Sequence, residues 1–226
     1  MIHILMSRGI FGSPHVVEMA QSFVKPTDQV VIVALSFFEH QAPSQQAYHE
    51  LYQAGSDYYQ KLVASFLPYG ILENQIQWID AYHDQKNSAI QKIQQADILY
   101  FPGGAPDQMM ERIKKMGIQE AIENHKGLMI GSSAGTMIQF ETYYISKDTD
   151  YQAFSYQKGL SLLKNFFVEV HYRRKRTQKR AMKRVFKDHR KPIITIPDDG
   201  FVIVTEDRII PCHSANLHYY GLGIYK

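Results

Sequence analysis

The first 140 residues alternate between short runs of apolar, often β-branched residues and longer polar stretches in which apolar residues recur at helical spacing. This alternation is typical of βα units, whose parallel strands are joined by helices that cover the faces of the sheet. The predicted strands span residues 2–6, 30–35, 75–79, 98–101 and 128–130. The predicted helices between them span residues 15–24, 44–66, 87–94 and 106–115. We therefore predict an α/β fold, a three-layer sandwich around a mostly parallel sheet.

The second half of the chain follows a different pattern. After Phe140 come irregular aromatic-rich segments, a basic helical segment and β-like runs at residues 193–196, 201–205, 208–211 and 217–225. No linker, internal repeat or low-complexity tract separates the two halves, so we expect residues 1–226 to form a single domain. The aromatic pairs Tyr143-Tyr144 and Tyr219-Tyr220 fit core, pocket wall or homodimer contact, and core is the first choice.

Composition excludes several classes of protein. With 226 residues, of which 45% are apolar, the chain can bury a large core and needs neither disulfides nor a structural metal. Cys212 is the single cysteine, and the longest apolar run, residues 30–35, is too short to cross a bilayer. Residues 1–6 are too short for a secretory signal. We expect a cytoplasmic protein that has no membrane partner.

The net charge of +3 hides an uneven distribution. Residues 173–191 carry 11 Lys or Arg and one acid, Asp188, which leaves 14 basic and 21 acidic residues elsewhere. From Arg176 onward, apolar residues recur at helical spacing, which predicts an amphipathic helix with a solvated cationic face. Attraction of an acidic substrate is the alternative, and nucleic-acid binding is less favoured.

The most informative stretch, residues 128–138, reads strand, tight turn, helix, with Gly-x-Ser-x-Gly at the turn. Glycines two residues to either side of Ser133 permit a sharp turn that lifts its hydroxyl to the end of the sheet. The N–H group of Ala134, at the start of the helix, then points to where an oxyanion would form. We interpret Ser133 as a nucleophile, against the alternative of an ordinary βα turn.

A serine nucleophile needs a base, which is normally a histidine held by a carboxylate. Of the histidines after Ser133, His171 ends an apolar run and would lie at a strand terminus, where such folds build their sites. The other downstream candidates are His189, His213 and His218. Asp198 or Asp199, in a strand-to-turn segment, would orient the imidazole, although Asp-Asp-Gly is equally typical of a plain turn.

A diglycine follows the strand at residues 98–101, immediately before the βα unit of the nucleophile. Glycine at Gly103 and Gly104 lets the main chain approach a ligand closely, and an N–H group there would be a second donor to the oxyanion.

These segments together resemble the dipeptidase E and cyanophycinase group, serine-peptidase family 51, over nearly the whole chain. The resemblance implies the fold of class I glutamine amidotransferases, a flavodoxin-like sandwich. It implies Ser133 as nucleophile, His171 as general base, Asp198 as the third triad member and the diglycine on the oxyanion side. The family usually has glutamate in place of Asp198, so Asp199 is an alternative.

The segment after the diglycine, which includes Asp107 and Gln108, helps to shape the substrate pocket in this family and departs from the family pattern here. We take both residues as candidates for substrate binding. The family favours acidic or β-aspartyl groups on the acyl side of the cleaved bond, and a cationic segment after His171 is compatible with that preference.

The resulting hypothesis is a serine hydrolase that cleaves amide bonds of small peptides without a cofactor or a metal. One alternative is an α/β-hydrolase esterase that would use Ser133, Asp198 and either His213 or His218. A second is a catalytically inactive binding or regulatory module that uses residues 173–191. Glutamine amidotransferase activity is disfavoured, because those enzymes use a thiolate where this chain has serine.

Overall fold

The computed structural model describes residues 1–219. The strands are β1 (Ile2–Met6), β2 (Val30–Val33), β3 (Ile76–Ile79), β4 (Ile98–Phe101), β5 (Leu128–Ser132), β6 (Thr142–Ile145), β7 (Ser155–Lys158), β8 (Phe167–Val170), β9 (Ile193–Ile196), β10 (Phe201–Val204), β11 (Ile209–Cys212) and β12 (Asn216–Tyr219). The helices are α1 (Pro14–Ala20), α2 (Gln45–Tyr52), α3 (Asp57–Ala64), α4 (Lys86–Gln95), α5 (Pro106–Met116), α6 (Gln119–Glu123), α7 (Ala134–Met137) and α8 (Arg176–His189). Short 3₁₀ turns lie at Gln21–Phe23, Leu67–Tyr69 and Glu73–Gln75.

A seven-stranded sheet in the order β11-β10-β1-β5-β4-β2-β3 forms the centre of the fold. Strands β1, β5, β4, β2 and β3 are parallel to one another. Next to β1, β10 and then β11 extend the sheet with antiparallel pairing. Because the parallel strands run the same way, their carboxyl ends share one edge of the sheet, where open α/β folds bind ligands. Ser133 follows β5 directly, so the candidate nucleophile lies at that edge.

The central strands are buried on both faces, since alternate side chains of one strand enter different apolar clusters. In β4, Leu99 and Phe101 join a cluster with α4, α5 and α6, whereas Ile98 and Tyr100 join a cluster with α1 and α3. The first cluster also contains residues of β8, β9 and β10, so the two halves of the chain share a core. Helices therefore cover both faces of the sheet, and the predicted three-layer α/β sandwich is confirmed.

The predicted single helix at residues 44–66 is wrong. The segment forms two helices, α2 and α3, whose N-termini are capped by Ser44 and Ser56 through bonds of 3.1 Å from the N–H groups of Ala47 and Tyr59. Helix α2 ends where Gln53 becomes extended (φ −66°, ψ 153°), and Gly55, with φ +95°, lies in the turn that leads to α3. Helical periodicity alone does not register such an interruption.

A three-stranded sheet, in the order β12-β9-β8, packs against α8, and β6 and β7 form a separate two-stranded sheet. Ala181, Met182 and Val185 of α8 are buried, whereas its Lys and Arg side chains face solvent, which confirms the predicted amphipathic helix. Of the strand predicted at residues 217–225, the structure shows β12, and residues 220–226 lie outside the described part of the chain.

Tyr143 and Tyr144 of β6 are each 3% exposed, which agrees with the interpretation of this pair as core. In the pair Tyr219-Tyr220, the side chain of Tyr219 and all of Tyr220 fall outside the described residues. None of the helices within residues 1–219 combines the length and the apolarity that a membrane span requires.

Candidate active site

Ser133 occupies a sharp corner between β5 and α7, with φ 49° and ψ −110°. A side chain at Gly131 would overlap Gly135 and the amide of Gln139, and one at Gly135 would overlap the carbonyl of Phe101. The two flanking glycines are therefore required by close packing, and they allow the backbone to turn within one residue. Positive φ in a serine costs free energy, which the surrounding structure must supply.

Hydrogen bonds to β1 hold this corner in place. The N–H group of Ser133 donates to the carbonyl of Met6 at 2.8 Å. The buried hydroxyl of Thr136 donates at 2.7 Å to the same carbonyl and accepts from the Met6 N–H group at 3.0 Å. The corner is thus tied to the neighbouring strand rather than held by its own turn alone.

His171 follows β8 and also has positive φ, at 50°. Its N–H group donates to the hydroxyl of Ser7 at 2.8 Å, and that hydroxyl in turn donates to the carbonyl of Ile196 at 2.6 Å. The side chain of Gln178 donates to the His171 carbonyl at 3.0 Å. Both backbone polar groups of His171 are therefore engaged, which fixes the direction of the imidazole.

The imidazole of His171 lies between a hydroxyl and a carboxylate. Its Nε2 is 2.8 Å from Ser133 Oγ, and its Nδ1 is 3.0 Å from Asp198 Oδ1. A carboxylate accepts only, so Nδ1 carries the proton and donates to Asp198. Nε2 of the neutral ring is then an acceptor for the Ser133 hydroxyl.

Two arginines surround the carboxylate of Asp198. Arg173 donates to its Oδ2 at 2.6 Å, and Arg8 approaches Oδ1 and Oδ2 through Nε at 3.4 Å and Nη2 at 3.5 Å. Partial burial acts to raise the pKa of Asp198, but hydrogen bonds from His171, Arg173 and Arg8 outweigh it and hold the pKa well below its usual range. Asp198 is accordingly ionised at neutral pH.

Asp199 belongs to a different cluster. Its carboxylate accepts from the Ser214 hydroxyl and lies 3.2 Å from His213 Nδ1, while the His213 ring packs 4.6 Å from that of His15. The structure therefore brings Asp198, and not Asp199, to His171. The other histidines considered from the sequence lie against aromatic rings, His189 beside Phe167 and His218 beside Tyr172.

The diglycine lies beside the nucleophile. A side chain at Gly103 would meet Ser133 Cβ at 3.3 Å, and Gly104, with φ +146°, would overlap the carbonyl of Ser36 if it had a side chain. Ser36 clamps this turn, since its hydroxyl donates to the Gly103 carbonyl at 2.8 Å and its carbonyl accepts from Ala105 N–H at 2.6 Å. Within the described chain, the N–H groups of Gly104 and Ala134 donate to no protein atom.

The side chains of Asp107 and Gln108, predicted to bind substrate, are engaged within the protein. Asp107 accepts from the Tyr151 hydroxyl at 2.6 Å, and Gln108 accepts from the Glu39 N–H group at 3.0 Å and from Arg112 at 3.1 Å. Neither residue lines the cleft at Ser133. Asp107 instead holds Tyr151, which does line the cleft, and Gln108 holds the backbone next to Phe38, another lining residue.

A cleft of about 670 Å³ opens in front of Ser133 and His171. Its lining includes four cations and three acids: Arg8, Lys147, Arg173 and Lys175, with Asp148, Asp150 and Glu169. Within the described residues, neither Lys147 nor Lys175 forms an ion pair, whereas both arginines contact Asp198. Of the Lys and Arg residues in this basic segment, Arg173 and Lys175 thus line the cleft, whereas those of α8 face solvent.

Glu169 is the most buried acidic residue that lines this cleft, with 3% of its surface exposed. The hydroxyl of Ser146 lies 3.0 Å from each of its carboxylate oxygens. Burial raises the pKa of Glu169 to about 7, against the opposing effect of hydrogen bonds that include those from Tyr144 and Ser146.

Sequence reasoning missed Ser7, Arg8, Ser36 and Glu169. The first three follow strands β1 and β2 at their carboxyl ends, so the rule that located the other candidates would have found them. Glu169 lies within strand β8 instead. The only indication in the sequence is that it is a single acidic residue within an apolar run.

The fold and this line of hydroxyl, imidazole and carboxylate define a serine-type hydrolase. The sequence model of Peptidase family S51 matches residues 50–211, a range that contains Ser133, His171 and Asp198. The chain belongs to this family, and it is a serine-type peptidase.

Two solved structures have a similar fold. A candidate peptidase E protein from Listeria monocytogenes EGD-e is 18% identical, with a TM-score of 0.64 over 93% of this chain and 96% of that one. A peptidase from an acI-B1 Actinobacterium is 12% identical, with a TM-score of 0.62 over 99% of this chain and 96% of that one. No curated protein sequence matches this chain.

Proposed function

We propose that this peptidase hydrolyses an amide bond in short peptides, with Ser133 as nucleophile, His171 as general base and Asp198 as the residue that orients and stabilises the imidazole. The observation that carries the proposal is the unbroken pair of contacts, 2.8 Å and 3.0 Å, on either side of the His171 ring. Both distances lie within the range for proton transfer and for orientation by hydrogen bonding.

In this scheme the Ser133 proton moves to His171 Nε2 as Oγ attacks the carbonyl carbon. The imidazolium then protonates the departing amine, and water hydrolyses the acyl-enzyme with His171 again accepting a proton. The free N–H groups of Gly104 and Ala134 are the proposed donors to the oxyanion, and Gly103 keeps the approach to Ser133 open. Loss of one such donor typically costs about 3 kcal/mol of transition-state stabilisation.

For the acyl side we propose an acidic residue such as aspartate or β-aspartate. Lys147 and Lys175 line the cleft and form no ion pair with residues 1–219, so they can meet a substrate carboxylate. Arg8 and Arg173 add positive charge at the same wall while they hold Asp198. The family preference for aspartyl groups agrees with this placement of charge.

The decisive experiment combines a fluorophosphonate probe with matched peptides. Wild-type protein should be labelled, and Ser133→Ala should lose labelling and lower turnover by roughly a million-fold. Ser132→Ala is the matched control and should keep the label. Aspartyl dipeptides should be cleaved faster than asparaginyl dipeptides of the same shape. An unlabelled wild-type protein that cleaves neither set would overturn the proposal.

Substitution of His171 and His218 separately tests the esterase alternative. We expect only His171→Ala to abolish activity, whereas loss with His218→Ala alone would favour the α/β-hydrolase order of residues. An unreactive Ser133 combined with nucleic-acid affinity that falls steeply with salt would favour the binding module on residues 173–191.

A further inference from the structure

A second cluster of chemically capable side chains lies away from Ser133, at the edge strand β3. Asp80 follows β3 directly, His83 comes three residues later, and His49 faces both from helix α2. Each of the three side chains offers one ligand atom, and these atoms all lie within 4.8 Å of one another. In the sheet order, β3 is three strands beyond β5, or roughly 14 Å at the usual strand spacing.

We infer that His49, Asp80 and His83 form a binding site for a divalent transition-metal ion of the zinc class. His49 Nε2 is 3.1 Å from Asp80 Oδ2, and His83 Nδ1 is 3.5 Å from the same oxygen. Zinc bonds of about 2.0–2.1 Å at tetrahedral angles place neighbouring ligand atoms about 3.3 Å apart. An ion can therefore bind at Asp80 Oδ2 once the exposed His83 ring rotates toward it.

The carboxylate of Asp80 is already oriented for this role. Its Oδ1 accepts from the N–H groups of Tyr82 and His83 at 2.7 Å and 2.9 Å. These bonds leave Oδ2 directed at the two imidazoles. In metal sites generally, the oxygen or nitrogen of a ligand side chain that does not bind the metal makes a hydrogen bond. This bond fixes the direction of the lone pair on the atom that does bind it.

The two imidazoles lie side by side, with ring centroids 4.5 Å apart and 16° between planes. A ligating nitrogen directs its lone pair in the plane of its ring, so the more exposed ring, that of His83, has to rotate for both lone pairs to meet at one ion. The side-chain amide of Gln45 lies 3.3 Å from His83 Nε2 and can turn its oxygen to accept from that atom. His83 Nδ1 would then be the unprotonated nitrogen that a metal needs.

Two nitrogens and one oxygen suit zinc and its neighbours better than calcium or magnesium, which prefer all-oxygen sites. His49, Asp80 and His83 are 30%, 24% and 66% exposed, so an ion has access and water can fill the fourth position. A bound ion would join α2 to the end of β3. Tyr48, next to His49 in α2, packs on Phe37, and the following residue, Phe38, lines the cleft. The ion would therefore stabilise one wall of the active site.

Ligand spacing along the chain does not predict this cluster, because His49 and Asp80 are 31 residues apart. The test titrates zinc, and cobalt as a spectroscopic probe, into tag-free protein that has been treated with chelator. Calorimetry should give one zinc per chain, and bound cobalt should show the strong visible absorption of a low-coordinate site. Thermal melting should move to higher temperature with zinc.

Asp80→Asn is the sharpest variant, since it keeps Oδ1 for the two backbone bonds while the amide nitrogen cannot ligate. We expect it, and His49→Gln, to weaken zinc binding by roughly 100-fold or more, since even outer contacts of a metal site are worth 10–100-fold. His40→Gln, an exposed histidine outside the cluster, and His171→Ala should bind as wild type does. Absence of saturable binding, or binding that Asp80→Asn leaves unchanged, would overturn the inference.

Discussion

Replacement of Glu169 by glutamine should make the protein more stable at alkaline pH than the wild type is. Burial in the cleft wall raises the pKa of Glu169 to about 7, from its ordinary value of 4.5. Folding therefore keeps a proton on this group between these two values. Because the folded state binds the proton more tightly, wild-type stability falls as pH rises through this window, and the full penalty is present above pH 7.

The size of the effect follows from the difference in pKa. About 2.5 units at 1.36 kcal/mol each give a limiting penalty of about 3 kcal/mol. Glutamine has the shape of the protonated acid and does not ionise. The stability of Glu169→Gln minus that of the wild type should accordingly grow from about 1 kcal/mol at pH 5 to about 3 kcal/mol at pH 8.

Urea denaturation of both proteins at four pH values between 5 and 8 measures this difference. Any fixed change in hydrogen bonding to Ser146 shifts the whole curve without changing its slope, so the pH dependence is the informative quantity. Glu141→Gln removes an exposed carboxylate and should give a flat difference over the same range. A flat difference for Glu169→Gln as well, or one that shrinks as pH rises, would refute the argument from burial.

Three further variants test other parts of the site. Gly104→Ala introduces a side chain where φ is +146° and no space exists, so we expect an inactive protein with a lowered melting temperature; normal activity would exclude the tight turn. Ser7→Ala leaves the N–H group of His171 without its acceptor, and urea denaturation should show a loss of about 1–3 kcal/mol with lower kcat; unchanged values would mean that water replaces the hydroxyl. Arg173→Met removes a donor that depresses the pKa of Asp198. The stability that such a carboxylate contributes is lost as pH falls through its folded pKa, so the midpoint of acid unfolding should move to higher pH. An unchanged midpoint would mean that other contacts depress this pKa.

The parts of this fold that the sequence predicts well are those specified by local pattern. The strand at Leu128–Ser132 and the turn after it are encoded locally, since a continuous apolar run ends at Gly131, and neither Gly131 nor Gly135 leaves space for a side chain. The same holds for the amphipathic helix Arg176–His189, whose spacing of apolar residues is visible without knowledge of its neighbours.

The parts that the sequence predicts poorly depend on contacts between distant segments. Ser36 matters because its hydroxyl reaches Gly103, 67 residues away, and no local pattern distinguishes it from an ordinary loop serine. Asp107 is likewise predicted from the sequence to bind substrate, whereas in the structure Tyr151, 44 residues later, donates a hydrogen bond to it. The sequence leaves Asp198 and Asp199 as alternatives for the same reason, since only the position of His171, 27 residues earlier, distinguishes them.

The end of β1 supports two of the proposed catalytic residues. Met6 accepts from the N–H group of Ser133, and the hydroxyl of Ser7, next in sequence, accepts from that of His171. Ser133 and His171 both have positive φ, at 49° and 50°, which is costly for residues with side chains. Each of the two strained positions is therefore stabilised from the same strand rather than from within its own turn.

Arg8 extends this support to the third group, since it approaches the carboxylate of Asp198. Three consecutive residues, 6–8, thus each contact a different member of the proposed triad. This is possible because β1 lies between β5 and β10 in the sheet, so its carboxyl end points at the corner after β5 on one side and at the later segments on the other. A shift of one residue in the pairing of β1 with β5 would turn every side chain to the opposite face and misplace all three contacts together. Register in the centre of the sheet, more than any single contact, is what aligns hydroxyl, imidazole and carboxylate.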